Sequence, residues 1–286
     1  MFDGVHLGHI SIINQLKKIA QKSNLQPAIL TFWPHPRKVF NPNEPLKLLN
    51  TLDEKLALLE KNGVEYLFLK EFDEDFRNLS AEDFVEDILI KKLNTKHIII
   101  GYDHVFGKNK SGNFDLLKKL ALKLDYDVEQ LEAITAENHQ NISSTRIRTA
   151  LSEGNIVEAN QMLGYHYQIS GKVVHGKKLG RTIGYPTANL EIDELKLLPK
   201  NGAYIVEVHH NNNFYRGMLS IGTNPTVNGE KLTVEVYILD FDQNIYDEEI
   251  TVKFRDFLHE EIKFENLEKL IEKLDDDKKR TENFEY

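Results

Sequence analysis

From Ile10 to about residue 150, apolar positions alternate between two periods. Spacings of three and four residues predict helices at Ile12–Ala20, Glu54–Lys61, Ala81–Lys91 and Leu116–Lys123. Denser runs rich in β-branched and aromatic residues predict strands at Pro27–Trp33, Val64–Leu69 and His97–Gly101, with a short one at Val128–Leu131. Strands that alternate with helices build a parallel sheet covered on both faces, so the first half reads as α/β.

Two short helices follow, Ser144–Ser152 and Asn155–Gly164, broken by Gly154 and Gly164. Beyond Tyr165 the texture changes. Short strand-like runs at Tyr167–Val174, Ala203–Val208, Phe214–Ile221, Leu232–Leu239 and Ile250–Phe254 are separated by Gly, Pro and Asn turns, which predicts a small antiparallel β-barrel. A final helix is expected over Phe264–Leu274, with the charged stretch Asp275–Arg280 solvated or frayed behind it. The expected organisation is an α/β domain over residues 1–164, its last part (150–164) a helical linker, and a β domain with a C-terminal helix over 165–286.

Composition narrows the function classes. A net charge of −9 argues against nucleic acid as a partner, because a phosphate-backbone footprint needs a basic surface. The chain has no cysteine, which removes disulfides, thiolate metal sites and thiol nucleophiles and suits a cytoplasmic location. Neither a signal peptide nor an apolar run long enough for a membrane span is expected.

The first chemical constellation is Phe2-Asp3-Gly4-Val5-His6-Leu7-Gly8-His9. His6 and His9 share one helix face, and Gly4 and Gly8 let a ligand approach the backbone. A helix N-terminus presents free N–H groups and positive dipole, which suits polyphosphate. The i, i+3 spacing and the missing glutamate exclude a zinc helix of the His-Glu-x-x-His kind, while two satisfied structural histidines remain an alternative. Such a turn ordinarily follows a buried strand, so with residue 1 directly before it the pocket is expected to lack one wall. A second set, Ser143-Ser144-Thr145-Arg146-Ile147-Arg148, reads either as a plain N-cap or as hydroxyls, N–H groups and the Arg148 guanidinium gathered for phosphate.

Within the second half, the richest stretch runs from Gly171 to Asn189. It lacks the Gly-Lys-Ser/Thr ending of a P-loop, so its choices are a glycine-rich hairpin or a flap with Gly176, Gly180, Arg181 and Gly184 near phosphate. Thr187 and Asn189 point to one side of an extended segment, as ordinary strand polars or as hard oxygen ligands for Mg²⁺. In Thr233–Phe241, alternation puts Glu235 opposite Val234, Val236 and Ile238, facing water or a substrate.

The paired turns at His6–His9 and Ser143–Arg148 resemble the nucleotidylyltransferase superfamily. With Phe32-Trp33-Pro34-His35-Pro36 and Gly101–Gly112 added, the likeness is to bacterial bifunctional riboflavin kinase/FAD synthetase, and it extends over the whole chain. The resemblance implies a Rossmann-like adenylyltransferase domain followed by a riboflavin kinase-like barrel. His6 and His9 would then hold ATP phosphates while FMN attacks the α-phosphorus, gripped from the other side by Ser143, Ser144, Thr145 and Arg148, with Asp103 near nucleotide or flavin. Asp103 reads equally as a turn carboxylate on its own. Glu235 would be the base for riboflavin phosphorylation, Thr187 and Asn189 the Mg²⁺ ligands, and Gly176–Gly184 the nucleotide flap. His259 departs from an arginine common in the family.

ATP, riboflavin, FMN and FAD are the small molecules the resemblance implies, with flavoenzyme clients as a further class of partner and no oligomeric state set. Two rivals stand beside it: a riboflavin kinase with an impaired first domain, and a non-catalytic flavin-binding regulator.

Overall fold

The computed structural model describes residues 2–40, 46–101, 104–131, 142–226 and 229–286. The chain separates into two compact units: Met1–Leu46 with Leu52–Ile142, and Lys47–Thr51 with Ser143–Tyr286.

The first unit opens with α1 (Leu7–Ser23), capped by the His6 side chain and closed by Asn24 in the left-handed region. It is followed by β1 (Ala28–Trp33), α2 (Pro36–Phe40), α3 (Leu52–Lys61), β2 (Tyr66–Glu71), α4 (Glu74–Arg77) and α5 (Ala81–Asp83). Beyond α5 the helix widens into π winding over Phe84–Lys92, so the single helix expected at Ala81–Lys91 changes pitch part-way. Then come β3 (His97–Gly101), α6 (Phe114–Leu124) and β4 (Asp127–Leu131).

Strand pairing is parallel, as the alternation predicts: Ala28 lies opposite Tyr66 in β1–β2, and His97 opposite Asp127 in β3–β4. Among the described residues these are two separate two-stranded sheets. Each has its own core: Val5, Ile13, Ile29 and Leu59 in one, Val85, Ile100, Leu117 and Tyr126 in the other. Helices packed against a short parallel pair bury its apolar residues, which accounts for this layout.

In the second unit, α7 (Ser144–Glu153) and α8 (Ile156–Leu163) end at Gly154 and Gly164, both at positive φ, where a glycine carries no Cβ penalty. Helix α8 is tied to the strands that follow. The Asn160 amide donates to the Phe254 carbonyl at 3.0 Å, and its oxygen accepts from the Tyr167 N–H at 2.7 Å.

Six strands then close a barrel: β5 (Gln168–Val174), β6 (Thr187–Ile192), β7 (Gly202–His210), β8 (Asn213–Thr226), β9 (Gly229–Ile238) and β10 (Glu249–His259). Their order around it is β10-β5-β6-β9-β8-β7, every pair antiparallel. Closure leaves no open sheet edge. Ile169, Val173, Val206, Val208, Val236, Val252 and Phe254 are buried at alternate positions of four of these strands, the signature of one face turned inward. A short helix α9 (Leu179–Thr182) sits in the Gly-rich stretch between β5 and β6.

The C-terminal helix α10 (Leu267–Glu282) corrects the expectation of a frayed tail at Asp275–Arg280. The stretch is helical, and Asp275, Asp276, Lys279 and Arg280 are exposed as expected, but Asp277 is not. Asp277 is 3% exposed and accepts from His259 Nε2 at 2.7 Å and from Lys273 Nζ at 2.8 Å. Arg280 donates to the Leu258 carbonyl, and the Thr281 hydroxyl donates to the Asp277 carbonyl. Because Asp277→Ala removes the buried carboxylate shared by the half-buried His259 imidazole and Lys273 ammonium, it should lower stability by about 1.5–3 kcal/mol. Urea denaturation of the variant against the parent measures this, and an unchanged midpoint would mean that the helix terminus is held by other contacts.

Candidate active sites

In the first unit the His6–His9 turn is built by the start of α1. His6 is the N-cap, and its Nδ1 accepts from the His9 N–H at 3.4 Å, which leaves the ring proton on Nε2. The two imidazoles stack with centroids 3.7 Å apart at an angle of 16°. Gly8 permits this: a Cβ there would sit 3.1 Å from His6 Nδ1. Gly4 takes φ 89°, a conformation costly for other residues. Phe2 also packs on His9, with ring centroids 5.0 Å apart.

Burial dominates the electrostatics. It lowers the His6 pKa to about 4, against the opposing pull of Asp3. Burial also holds His9 well below the usual imidazole range, reinforced by His6 and Lys55. His9 Nδ1 is buried and has no hydrogen-bond partner among the described residues. Spacing alone gave no sign of Lys55, a lysine on α3 that is only 2% exposed, with its ammonium 5.5 Å from the Trp33 ring centroid. Burial lowers its pKa while Asp3 raises it. Hydrophobic spacing cannot flag such a residue, because lysine is ordinarily a surface residue.

Asp103 lies outside the described residues. His35 Nδ1 accepts from the Arg37 N–H at 3.1 Å, fixing its loop.

The Ser143–Arg148 turn is the start of α7, in the second unit. Ser143 serves as the N-cap, its hydroxyl accepting from the Arg146 N–H at 3.3 Å. The Arg148 guanidinium folds back onto the Ser144 carbonyl at 3.2 Å, and Arg146 pairs with Glu158 at 2.9 Å. Thr145 is exposed in the first turn of the helix.

Elsewhere in the second unit, β6 and β9 bring three singled-out residues together. Asn189 lies opposite Glu235 and Thr187 opposite Tyr237. The Thr187 hydroxyl donates to Glu235 Oε2 at 2.9 Å. On the inward side the neighbours Val234 and Val236 are buried, so strand parity turns Glu235 outward.

The Gly-rich loop folds onto the same face. A Cβ at Gly176 would collide with the Asn189 amide, and one at Gly180 with the Tyr185 carbonyl. Gly184 takes φ 83°. Thr187 also borders a cavity of about 460 Å³ whose lining includes Val173, Arg181, Ala188, Val236, Ile238 and Tyr246 but neither Glu235 nor Asn189. The lining segment Asp242–Tyr246 carries no motif, since nothing in its residue types points to chemistry. Lys178 adds positive charge at this rim, its ammonium 5.8 Å from the Tyr246 ring centroid.

Among the described residues no group of three or more His, Cys, Asp or Glu could hold a metal ion, and no helix is long and apolar enough to cross a membrane.

The comparisons with known proteins follow this division. Residues 1–146 match the family model described as FAD synthetase, and residues 163–285 match that described as riboflavin kinase. A parallel-sheet nucleotidylyltransferase-type unit joined to a riboflavin kinase barrel defines a two-domain transferase class. A bifunctional riboflavin kinase/FMN adenylyltransferase of Listeria monocytogenes is 42% identical over 285 residues, 99% of this chain and 90% of the relative. That of Bacillus subtilis is 37% identical over 283 residues, 97% and 88% of the two chains. The chain belongs to the bifunctional riboflavin kinase/FMN adenylyltransferase family. A crystal structure from Streptococcus pneumoniae, described as a macrolide-efflux protein, superposes with a TM-score of 0.90 at 36% identity, covering 99% of this chain and 92% of the other.

The lowered His6 pKa has a testable sign. An imidazole whose folded pKa is near 4 against 6.5 unfolded binds fewer protons when folded, so its contribution to stability is fully present above pH 6.5 and lost as pH falls towards 4. NMR titration of the free protein should show the His6 ring neutral from pH 8 down to about 5. A midpoint near 6.5 would show that the ring is solvated.

Proposed function

We propose that this chain phosphorylates riboflavin to FMN in its barrel unit and adenylylates FMN to FAD in its N-terminal unit, using ATP for both. The observation that carries the kinase half is the grouping of Glu235, Thr187 and Asn189 on one barrel face under the Gly176–Gly184 loop. Phosphoryl transfer needs positioning and charge neutralisation more than a nucleophilic side chain, which suits a chain without cysteine.

In the first reaction the 5′-hydroxyl oxygen of riboflavin attacks the γ-phosphorus of ATP, its proton passes to the Glu235 carboxylate, and ADP leaves. The Thr187 hydroxyl donates to the same carboxylate, which fixes its rotamer. Loop N–H groups and Arg181 would face the phosphates.

The family implies Mg²⁺, and the donor set fits it. Thr187 and Asn189 offer hard oxygens, and the tight approach of Gly176 holds the Asn189 amide in place. When bound, the ion supplies charge neutralisation on the nucleotide phosphates. Thr187 and Asn189 would hold it together with those phosphates.

In the second reaction an FMN phosphate oxygen attacks the α-phosphorus of ATP and pyrophosphate leaves. His6 and His9 are held neutral by burial in the free protein. A polyphosphate beside them offsets that burial and favours protonation, and so adds positive charge to the ring N–H donors that face the developing charge. The buried Lys55 ammonium adds to the positive potential.

Purified protein incubated with riboflavin, ATP and Mg²⁺ should form FMN and then FAD with pyrophosphate, resolved by chromatography. FMN alone would reduce the assignment to a kinase, and neither product would leave a flavin-binding protein. Glu235→Gln keeps an acceptor for Thr187 but removes the base, so FMN formation should fall by about 100-fold or more while FAD formation from supplied FMN is unchanged. Conversely, His9→Ala should abolish most FAD formation and spare FMN formation. If either variant retains its own half-reaction at parental rate, the role given to that residue is wrong.

A further inference from the structure

The strap that joins the Gly-rich loop to β6 is fastened at its middle by one buried residue, Tyr185. It is 7% exposed and packs with Met218 and Leu239, against Ile183, Tyr237 and Leu274. Its N–H donates to the Gly180 carbonyl at 2.8 Å, and its own carbonyl fills the space where a Cβ of Gly180 would lie. The ring meets that of Tyr237 at 5.1 Å and 60°, and Tyr237 is the register partner of Thr187. Finally, the phenol donates to Asp275 Oδ1 on α10 at 2.5 Å.

That last bond links the strap to an element that is itself fixed to the barrel. Helix α10 is held through Asp277 to His259 and through Arg280 to the Leu258 carbonyl. Apolar packing alone would permit Tyr185 to slide or rotate in its pocket. A short hydrogen bond to a carboxylate sets both distance and direction. We propose that the Tyr185–Asp275 bond is a positioning device for phosphoryl transfer, through which the C-terminal helix holds residues 180–187 so that Thr187 meets Glu235 and the loop glycines sit against the site. This rests on the kinase reading of that site. Tyr185 and Asp275 touch no reacting atom in it and act through Thr187 and Gly180.

The burial of the phenol and its bond to Asp275 raise its pKa, so the donor persists across the working pH range. Carboxylate and phenol lie 90 residues apart in sequence. Tyr185 lies within the Gly171–Asn189 stretch, whereas Asp275 belongs to no motif.

The test uses the full chain with Tyr185→Phe, Asp275→Ala, Asp275→Asn and the Tyr185→Phe/Asp275→Ala double variant. Riboflavin kinase kcat should fall about tenfold or more in Tyr185→Phe and in Asp275→Ala, since small misplacements of positioned groups are costly to turnover. KM for riboflavin, and FAD formation from supplied FMN, should stay within about twofold of the parent. Asp275→Asn still offers an oxygen acceptor and should recover most of the rate. Because both single changes break one bond, the double variant should be no slower than the slower single one. A urea unfolding curve on each variant confirms that the assayed protein is folded.

A kcat within about twofold of the parent in both single variants, with or without a lower unfolding midpoint, overturns the proposal and leaves the bond a purely structural one. Additive losses in the double variant overturn it as well, as does an Asp275→Asn variant as slow as Asp275→Ala. Parent protein that makes no FMN would instead sink the kinase reading itself, and the positioning role with it. Failure of the variants beside an active parent that Glu235→Gln disables strikes the positioning role alone.

Discussion

Everything in the barrel unit depends on the register of β6 against β9. Successive side chains on a strand point to opposite faces, so pairing Asn189 with Glu235 commits Thr187, Asn189 and Glu235 to one face and Val236 to the other. A slip by one residue would bury the glutamate and expose the valine. The closed barrel prevents it, since a shift between two strands would have to propagate around all six. The Gly-rich loop can then approach this face closely, because Gly176 and Gly180 offer no Cβ to the Asn189 amide and the Tyr185 carbonyl.

The N-terminal unit reaches a related end by another means. Its stacked imidazoles are assembled within one turn of α1, with the His6 side chain capping the helix. What sets their state is desolvation, which keeps both neutral in the free protein. Asp3 and Lys55, also buried, set opposing potentials around them. In the barrel unit position matters first and charge second, whereas here the local dielectric comes first.

Much of this was legible in residue order. Apolar spacing placed the helices and strands because a period of 3.6 or 2 follows from burying one face, and it put Glu235 opposite Val234 and Val236 for the same reason. The motif stretches likewise carried the family resemblance, which the family models and the relatives bear out. What escaped depends on contacts distant in sequence. The run Asp275–Arg280 reads as solvated because its residues are charged, and most of them are exposed, yet Asp277 is buried against His259 and Lys273, and Asp275 accepts from Tyr185. Lys55 is hidden by the general preference of lysine for the surface. Ser143 shows the reverse, for its hydroxyl does the ordinary work of a helix cap whatever else the turn offers.

The central claim is that one chain directs attack at two different phosphorus atoms of ATP. It is tested most directly by supplying riboflavin with ATP labelled at either the γ- or the α-phosphorus and following the label into the flavins. γ-Label should appear in FMN and be retained in FAD, and α-label should appear in FAD but never in FMN. α-Label absent from every flavin product, or FMN formed without γ-label, would contradict it.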